Sequence, residues 1–249
     1  MYICVMKVQL VTHTTGAIGS GYEGKSLDEI VVGIARLSTS KEGNELFKDP
    51  AKLIRHCAIE QHWSIFQTVN LGFMIECSRA IGRQILRHAF NPQEFSQRYS
   101  VVETYEPFDL MKQAKNNRQS SSEIVDDWTP FVANQSVKDS FANYEKLIKN
   151  GVSRETARNV LPECAMSRIY INGTLREFIT YLNVRLHKHT EKKHRDVAEE
   201  IKKVFIEKCP IISEAFFNFE SHEDIHILER LVLEKFGVYQ SVVERLNSK

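Results

Sequence analysis

From Val69 to Cys77 the chain puts an apolar side chain at every second position: Val69, Leu71, Phe73, Ile75 and Cys77 alternate with Asn70, Gly72, Met74 and Glu76. Successive side chains of an extended backbone point to opposite faces, so this stretch reads as a half-buried strand. One face must be covered, and the rest of the chain supplies the cover. The N-terminal MYICVMKVQLV also alternates and reads as a strand, and Met166 to Ile171 is a third candidate.

Helix signals fill much of the remainder. Ser26 with Glu29 three residues on forms a capping box ahead of Leu27, Ile30, Val31 and Ile34, after a Gly/Thr/Ser-rich loop from His13 to Gly24. Asp49-Pro50 gives a cap and a first-turn proline to a helix with Leu53, Ile54, Cys57 and Ala58 on one stripe. Ser78 is placed to cap the helix that follows the central strand. Phe141, Tyr144, Leu147 and Ile148 form an apolar face ending at Gly151, and Ser153 to Leu161 is a short helix stopped by Pro162. Thr174 and Glu177 make a second capping box before Leu175, Phe178, Ile179 and Leu182; Val197, Ile201, Val204 and Phe205 stripe a further helix. Residues 107–137 are polar and read as a long loop or lid, and 211–249 as a C-terminal helical extension. With no internal repeat, the pattern predicts one α/β (α+β) domain over 1–249, a mixed or antiparallel sheet flanked by helices.

Charge narrows the partners. The 33 Lys and Arg nearly balance the 32 Asp and Glu, so no whole-molecule field points to nucleic acid or to an anionic membrane. Nothing reaches membrane-spanning length. The five cysteines, Cys4, Cys57, Cys77, Cys164 and Cys209, are scattered without a CxxC, which suits reduced thiols and a cytoplasmic setting. The dense basic run Lys188, Lys192, Lys193, His194 and Arg195 is interrupted by Glu191, Glu199 and Glu200 and reads as a solvated helix face. His222-Glu223-Asp224-Ile225-His226 fits the two-histidine zinc pattern, but both histidines share a polar helix face and no third ligand stands out, so no metal is expected.

Polar residues interrupt the apolar stripes in three places. After Ser78 the stripe begins with Ala80, Ile81 and Ile85, yet Gln84, Arg87 and His88 recur at the same spacing; Gln93, Glu94, Ser96, Gln97, Arg98, Tyr99 and Ser100 then crowd donors and acceptors into one segment. Such a segment can cradle a phosphate and read a planar base. On the helix opened by Thr174, Arg185 falls on the core face and Arg176 sits in the first turn, where it opposes the macrodipole; both suggest an external anion. In QHWSIFQ, His62, Ser64 and Gln67 precede the central strand.

HWSIF, SRAIGRQILRH running into EFSQRYS, NNRQSS, ARNVLP and NGTLREFITYLNVR, in this order and over about Ile34 to Pro210, resemble successive blocks of the flavin-dependent thymidylate synthases. The resemblance implies FAD, dUMP as substrate, methylenetetrahydrofolate as carbon donor, NADPH as reductant and a homotetramer with shared active sites. Carried over by position, it implies that Gln84, Arg87, Glu94, Phe95, Ser96, Gln97, Arg98 and Arg158 hold dUMP and that Arg185 polarises the pyrimidine. Ser38, His62, Ser64, His88, Thr174, Leu175, Arg176 and His189 fall at flavin-contacting positions. The chain departs from the family pattern at Ala89, where an arginine is usual and one residue is missing before Ser96, at Gln67 for a usual glutamate, and at Glu191 where glutamine is common. The altered loop keeps one alternative open, water capture of the one-carbon unit to give 5-hydroxymethyl-dUMP; a catalytically silent nucleotide-binding relative on the same fold is another.

Overall fold

The structure is a computed structural model that describes residues 2–3, 5–39, 42–118 and 121–217. In chain order its elements are β1 (Tyr2–Ile3), β2 (Lys7–His13), α1 (Leu27–Ala35), α2 (Pro50–Ile59), β3 (Asn70–Ser78), α3 (Arg79–Ile85), β4 (Asn91–Glu94), β5 (Thr104–Tyr105), β6 (Met111–Gln113), β7 (Ser121–Ile124), α4 (Thr129–Lys149), α5 (Arg154–Ala157), β8 (Met166–Thr174), α6 (Leu175–Arg185), α7 (Lys192–Lys208) and α8 (Pro210–Phe217). Short 3-10 turns lie at Arg36–Ser38, Gly43–Phe47, Trp63–Gln67 and Arg158–Val160. None of the described helices is long and apolar enough to cross a membrane. The chain is an α/β fold that resolves into two compact units, each gathered from three stretches.

The first unit, 1–13, 71–173 and 189–201, holds a four-stranded sheet of order β2-β3-β8-β4. Strand β3 is the apolar strand expected from the alternation: Leu71, Phe73, Ile75 and Cys77 are fully buried. It pairs antiparallel with β2, from Lys7 opposite Glu76 to His13 opposite Leu71. At the other edge β4 pairs antiparallel with β8, Asn91 opposite Asn172 through Glu94 opposite Ile169. The N-terminal segment is two strands rather than one, because β1 leaves the sheet to pair in parallel with β5. Gly82 lets α3 lie close on β8, since a Cβ there would sit 2.7 Å from Ile169 Cδ1. A second apolar cluster, including Val102, Tyr105, Phe141, Tyr144 and Ala157, packs α4 and α5 together, with Phe95 against it.

The second unit, 14–70, 174–188 and 202–249, is helical in its described residues. Both capping boxes form as expected: Ser26 and Glu29 close α1, and Thr174 and Glu177 close α6. Leu175, Phe178, Ile179 and Leu182 are fully buried on α6. Asp28, only 1% exposed, accepts the N–H groups of Ile211 (3.0 Å) and Ile212 (3.1 Å) and so caps α8 from α1. Loss of water raises its pKa, and the two N–H groups oppose that rise. Hydrogen bonds to a charged acceptor of this kind contribute roughly 1.5–3 kcal/mol each, which offsets the cost of burying the carboxylate.

Two further expectations change. Residues 107–137 are not one long loop: β6 and β7 form an antiparallel hairpin, and α4 starts at Thr129. The early turns of α4 escape periodicity because their apolar residues face water, with Phe131 73% exposed and Trp128 just before the helix 74% exposed. Ser78 precedes α3 but its hydroxyl makes no cap; its backbone N–H instead donates to Glu106 Oε2 at 3.0 Å. Of the expected C-terminal extension, residues 211–217 are described and are helical within α8; the rest, with the His222–His226 motif, lies outside the described residues.

The thiols of Cys57, Cys77, Cys164 and Cys209 are free. Burial pushes the Cys77 thiol up to about 12, with the carboxylates of Glu106 and Glu94 adding to the effect. Such a thiol stays protonated and inert at neutral pH.

Candidate active site

In the first unit the polar end of α3 is built from below by a buried carboxylate. Glu106, 5% exposed, holds the first N–H of the α3 entry and pairs with Lys193 at 3.4 Å, and Lys193 also donates to the carbonyl of Pro107. A negative charge at a helix start is favourable, so Glu106 fixes α3 against the N-terminal part of α7. This overturns the reading of the basic run as a solvated face: Lys193 is committed to Glu106, and His194 is completely buried. His194 lies on the same stripe as Val197, Ala198, Ile201 and Phe205, all fully buried.

Gln84, half-buried and next to last in α3, donates from Nε2 to Glu191 Oε2 at 2.6 Å and faces His194 Nδ1 through Oε1 at 3.0 Å. Arg87 is exposed in the turn after α3 and has no carboxylate partner among the described residues. His88 is half-buried, its ring 6.2 Å from that of His194 and 6.2 Å from that of Phe90. Ala89, beside it, is exposed.

Strand β4 then carries the chain into the donor-rich segment. Glu94 accepts from the Ser167 hydroxyl at 2.9 Å, and the N–H of Phe95 donates to the carbonyl of Arg168 at 2.8 Å. These bonds aim the segment out of the sheet edge. The carbonyl of Ser96 then accepts the N–H groups of Tyr99 and Ser100, both at 3.1 Å, and closes a tight turn. Gln97 at the head of this turn is buried, and its Nε2 has no hydrogen-bond partner. A buried amide left unpaired costs about 1–3 kcal/mol, which marks the position as one made for an acceptor not supplied by the chain itself. Arg98, next to it, reaches Glu155 of α5 at 3.4 Å with both side chains more than half exposed. That pair ties the turn to the helical segment whose next turn carries Arg158, half-buried and without a carboxylate partner among the described residues.

In the second unit the polar residues gather around the start of α6. Thr174 spends its hydroxyl on the N–H of Glu177, and the N–H of Leu175 donates to the carbonyl of Val69 at 3.0 Å. Arg176 follows, its guanidinium 5.7 Å from the ring centre of Trp63. Trp63 is itself stacked on Phe216, with ring centres 5.4 Å apart. A guanidinium over an indole is held electrostatically by the ring face and keeps its N–H groups for other acceptors. His62 and Ser64 flank Trp63 and are exposed, His62 with its ring edge-on to that of His56 at 5.8 Å. Ser38 is exposed and donates to the carbonyl of Ala35 at 3.1 Å. Arg185 is the last residue of α6; it is half-buried rather than sunk with the core face, and at a helix C-terminus its charge is complementary to the macrodipole. His189, in the first unit, is exposed in the turn before α7.

Among the described residues, Arg87 and Arg158 in the first unit and Arg176 in the second have no carboxylate partner. In the first unit the Arg98–Glu155 pair ties Glu94–Arg98 to the segment bearing Arg158, while Gln84 is held separately by Glu191 and His194; Thr174, Leu175, Arg176, His62 and Ser64 are neighbours in the second. No group of three or more His, Cys, Asp or Glu among the described residues is arranged to hold a metal. The bracket that Glu191 and His194 form on Gln84 and the Glu106–Lys193 anchor were absent from the sequence expectations, although His194 stood in register with the apolar stripe of α7.

Comparison with known proteins matches the chain to one family. The profile described as "Thymidylate synthase complementing protein" matches residues 22–211. A flavin-dependent thymidylate synthase of Synechocystis is 34% identical over 215 residues, covering 84% of this chain and 99% of that one. A probable flavin-dependent thymidylate synthase of Paramecium bursaria Chlorella virus 1 is 34% identical over 216 residues, covering 84% and 98%. Among solved structures, a UMP/dUMP methylase from Streptomyces cacaoi bound with 5-Br dUMP superposes with a TM-score of 0.73 at 25% identity, covering 87% of this chain and 97% of that one. The profile spans more than half of the chain, and with these relatives it shows that the chain belongs to the flavin-dependent thymidylate synthase family.

Proposed function

We propose that this chain converts dUMP to dTMP in the cytoplasm, taking its one-carbon unit from methylenetetrahydrofolate and its reducing equivalents from NADPH by way of FAD, as a homotetramer with shared active sites. The observation that carries the reading is the signature turn: a buried amide with an unused N–H at Gln97, beside Arg98 and tied to the segment bearing Arg158. A nucleoside monophosphate supplies what this turn lacks, namely phosphate oxygens for the guanidinium groups and an acceptor for the amide. Arg87, Arg98 and Arg158 hold the phosphate end, Ser96 and Gln97 add neutral donors, and Gln84 and Glu94 fix orientation. Phe95 serves by packing, since it anchors the turn to the second apolar cluster.

The residues of the second unit fit a planar, diphosphate-bearing cofactor. Arg176 opposes the dipole of α6 and gains nothing locally, and its stack on Trp63 leaves its donors available; exposed Ser38, His62 and Ser64 offer further donors. Thr174 and Leu175 hold Arg176 in place, the first through its cap and the second through full burial and its bond to Val69. In the first unit, His88 and His189 fall at positions that contact flavin in the family. FAD, when bound, supplies the two-electron reduction that no side chain of the protein can perform. Arg185 sets a fixed cation against the pyrimidine, where it stabilises negative charge that develops as uracil C5 becomes nucleophilic.

The test is spectroscopic. Purified protein is expected to carry a yellow chromophore with a flavin absorbance spectrum, bleached by NADPH without oxygen. Colourless protein that takes up no FAD when it is supplied would overturn the reading.

A further inference from the structure

The Gln84 carboxamide is gripped at one end by Glu191, just before α7, and at the other by His194 in its first turn. A carboxylate can only accept, so the atom 2.6 Å from Glu191 Oε2 must be the amide nitrogen. That fixes the other end as the carbonyl oxygen, and the 3.0 Å approach of His194 Nδ1 then makes this ring nitrogen the protonated one. Turning the amide over would set oxygen against carboxylate at Glu191 and would force His194 into its other tautomer, so the Glu191 contact fixes the orientation. His194 is completely buried, and Lys193 beside it is pinned to Glu106; the bracket stands on a rigid base.

We propose that His194 and Glu191 are positioning residues for substrate binding: they lock Gln84 in one orientation so that its remaining N–H and its remaining Oε1 lone pair meet the nucleotide on fixed sides. Nothing in the reaction requires either residue to touch dUMP. Their contribution is preorganisation, since a freely rotating amide would lose its freedom on binding and would offer the wrong end part of the time. The inference rests on the assignment of Gln84 to dUMP. It adds what that assignment lacks, a reason why a buried histidine in the first turn of α7 and the glutamate just before that helix both turn to one amide.

A double-mutant cycle on the full chain tests it, read as KM for dUMP, kcat and flavin content. Gln84→Ala is expected to raise KM for dUMP about tenfold or more. His194→Ala and Glu191→Ala are each expected to raise it several-fold with kcat and flavin content little changed. Combined with Gln84→Ala, neither should add anything, because the group they position is gone. His194→Asn, whose amide N–H can take the place of Nδ1–H, and Glu191→Gln, which keeps an acceptor for Gln84, should restore most of the affinity and guard against misreading a folding defect. Full additivity in the Gln84→Ala background, or wild-type KM in His194→Ala, would overturn the lock while leaving the nucleotide assignment intact. An unchanged KM in Gln84→Ala itself would overturn that assignment and the lock with it.

Discussion

Arg185→Ala is expected to lower kcat by about two to three orders of magnitude, the loss typical when a preorganised charge is removed from the site of developing negative charge. Flavin content and the melting temperature should change little. The reasons are structural: Arg185 is the last residue of α6, half-buried, and the apolar stripe that stabilises this helix consists of Leu175, Phe178, Ile179 and Leu182, none of which depends on it. Its charge favours the helix C-terminus by only about 0.3–1 kcal/mol. KM for dUMP should rise far less than kcat falls, because an interaction made mainly as C5 becomes nucleophilic acts on the transition state. Steady-state kinetics with flavin quantified by absorbance checks this; equal losses of flavin and turnover would place Arg185 in cofactor retention instead.

Arg98→Ala should show the opposite split, with KM for dUMP raised about 10- to 100-fold and kcat at saturation reduced much less. One charge-assisted hydrogen bond to a phosphate contributes roughly 1.5–3 kcal/mol, and each 1.4 kcal/mol is tenfold in affinity. The ion pair to Glu155 that Arg98 makes within the chain does not oppose this expectation. Both partners are more than half exposed, 54% and 61%, so solvent screens the pair and its loss should cost no more than about 1 kcal/mol of stability. A nucleotide phosphate, doubly charged and held by several donors, displaces Glu155 readily. Isothermal titration of dUMP into the flavin-loaded protein measures the change; unchanged affinity would remove Arg98 from the nucleotide site.

Local chemistry was the most legible part of the fold. Ser26 with Glu29 and Thr174 with Glu177 declared their helices through reciprocal bonds confined to four residues, and both formed. The central strand was equally plain, since its period-2 pattern directly records which face is buried. What the sequence hid were elements whose stability comes from elsewhere. The first turns of α4 expose Phe131 and carry few buried side chains, so no stripe betrayed them; the available signal was Asp127 ahead of Thr129-Pro130, a carboxylate that accepts the N–H of Thr129 at 2.7 Å followed by a first-turn proline. Ser78 misled for a related reason, because a capping residue type says nothing about Glu106, 28 residues away, taking over the N–H.

The candidate site shows the same division. Its residue types were readable as interruptions of apolar stripes, but partners were not. Gln84 looked like a ligand-facing amide and is held by Glu191 and His194, more than 100 residues later; Arg185 looked core-facing and is half-buried. Long-range pairing of this kind leaves only weak traces in one sequence. For His194 the trace was its register with Val197 and Ile201, which placed a histidine where burial was to be expected.

The most direct measurement is the mass of the nucleotide formed when the flavin-loaded protein is incubated without oxygen with dUMP, methylenetetrahydrofolate and NADPH. The account predicts a product with the mass of dTMP, formed only when all three are present. Recovery of unchanged dUMP from a fully flavin-loaded protein, or of 5-hydroxymethyl-dUMP in place of dTMP, would contradict it.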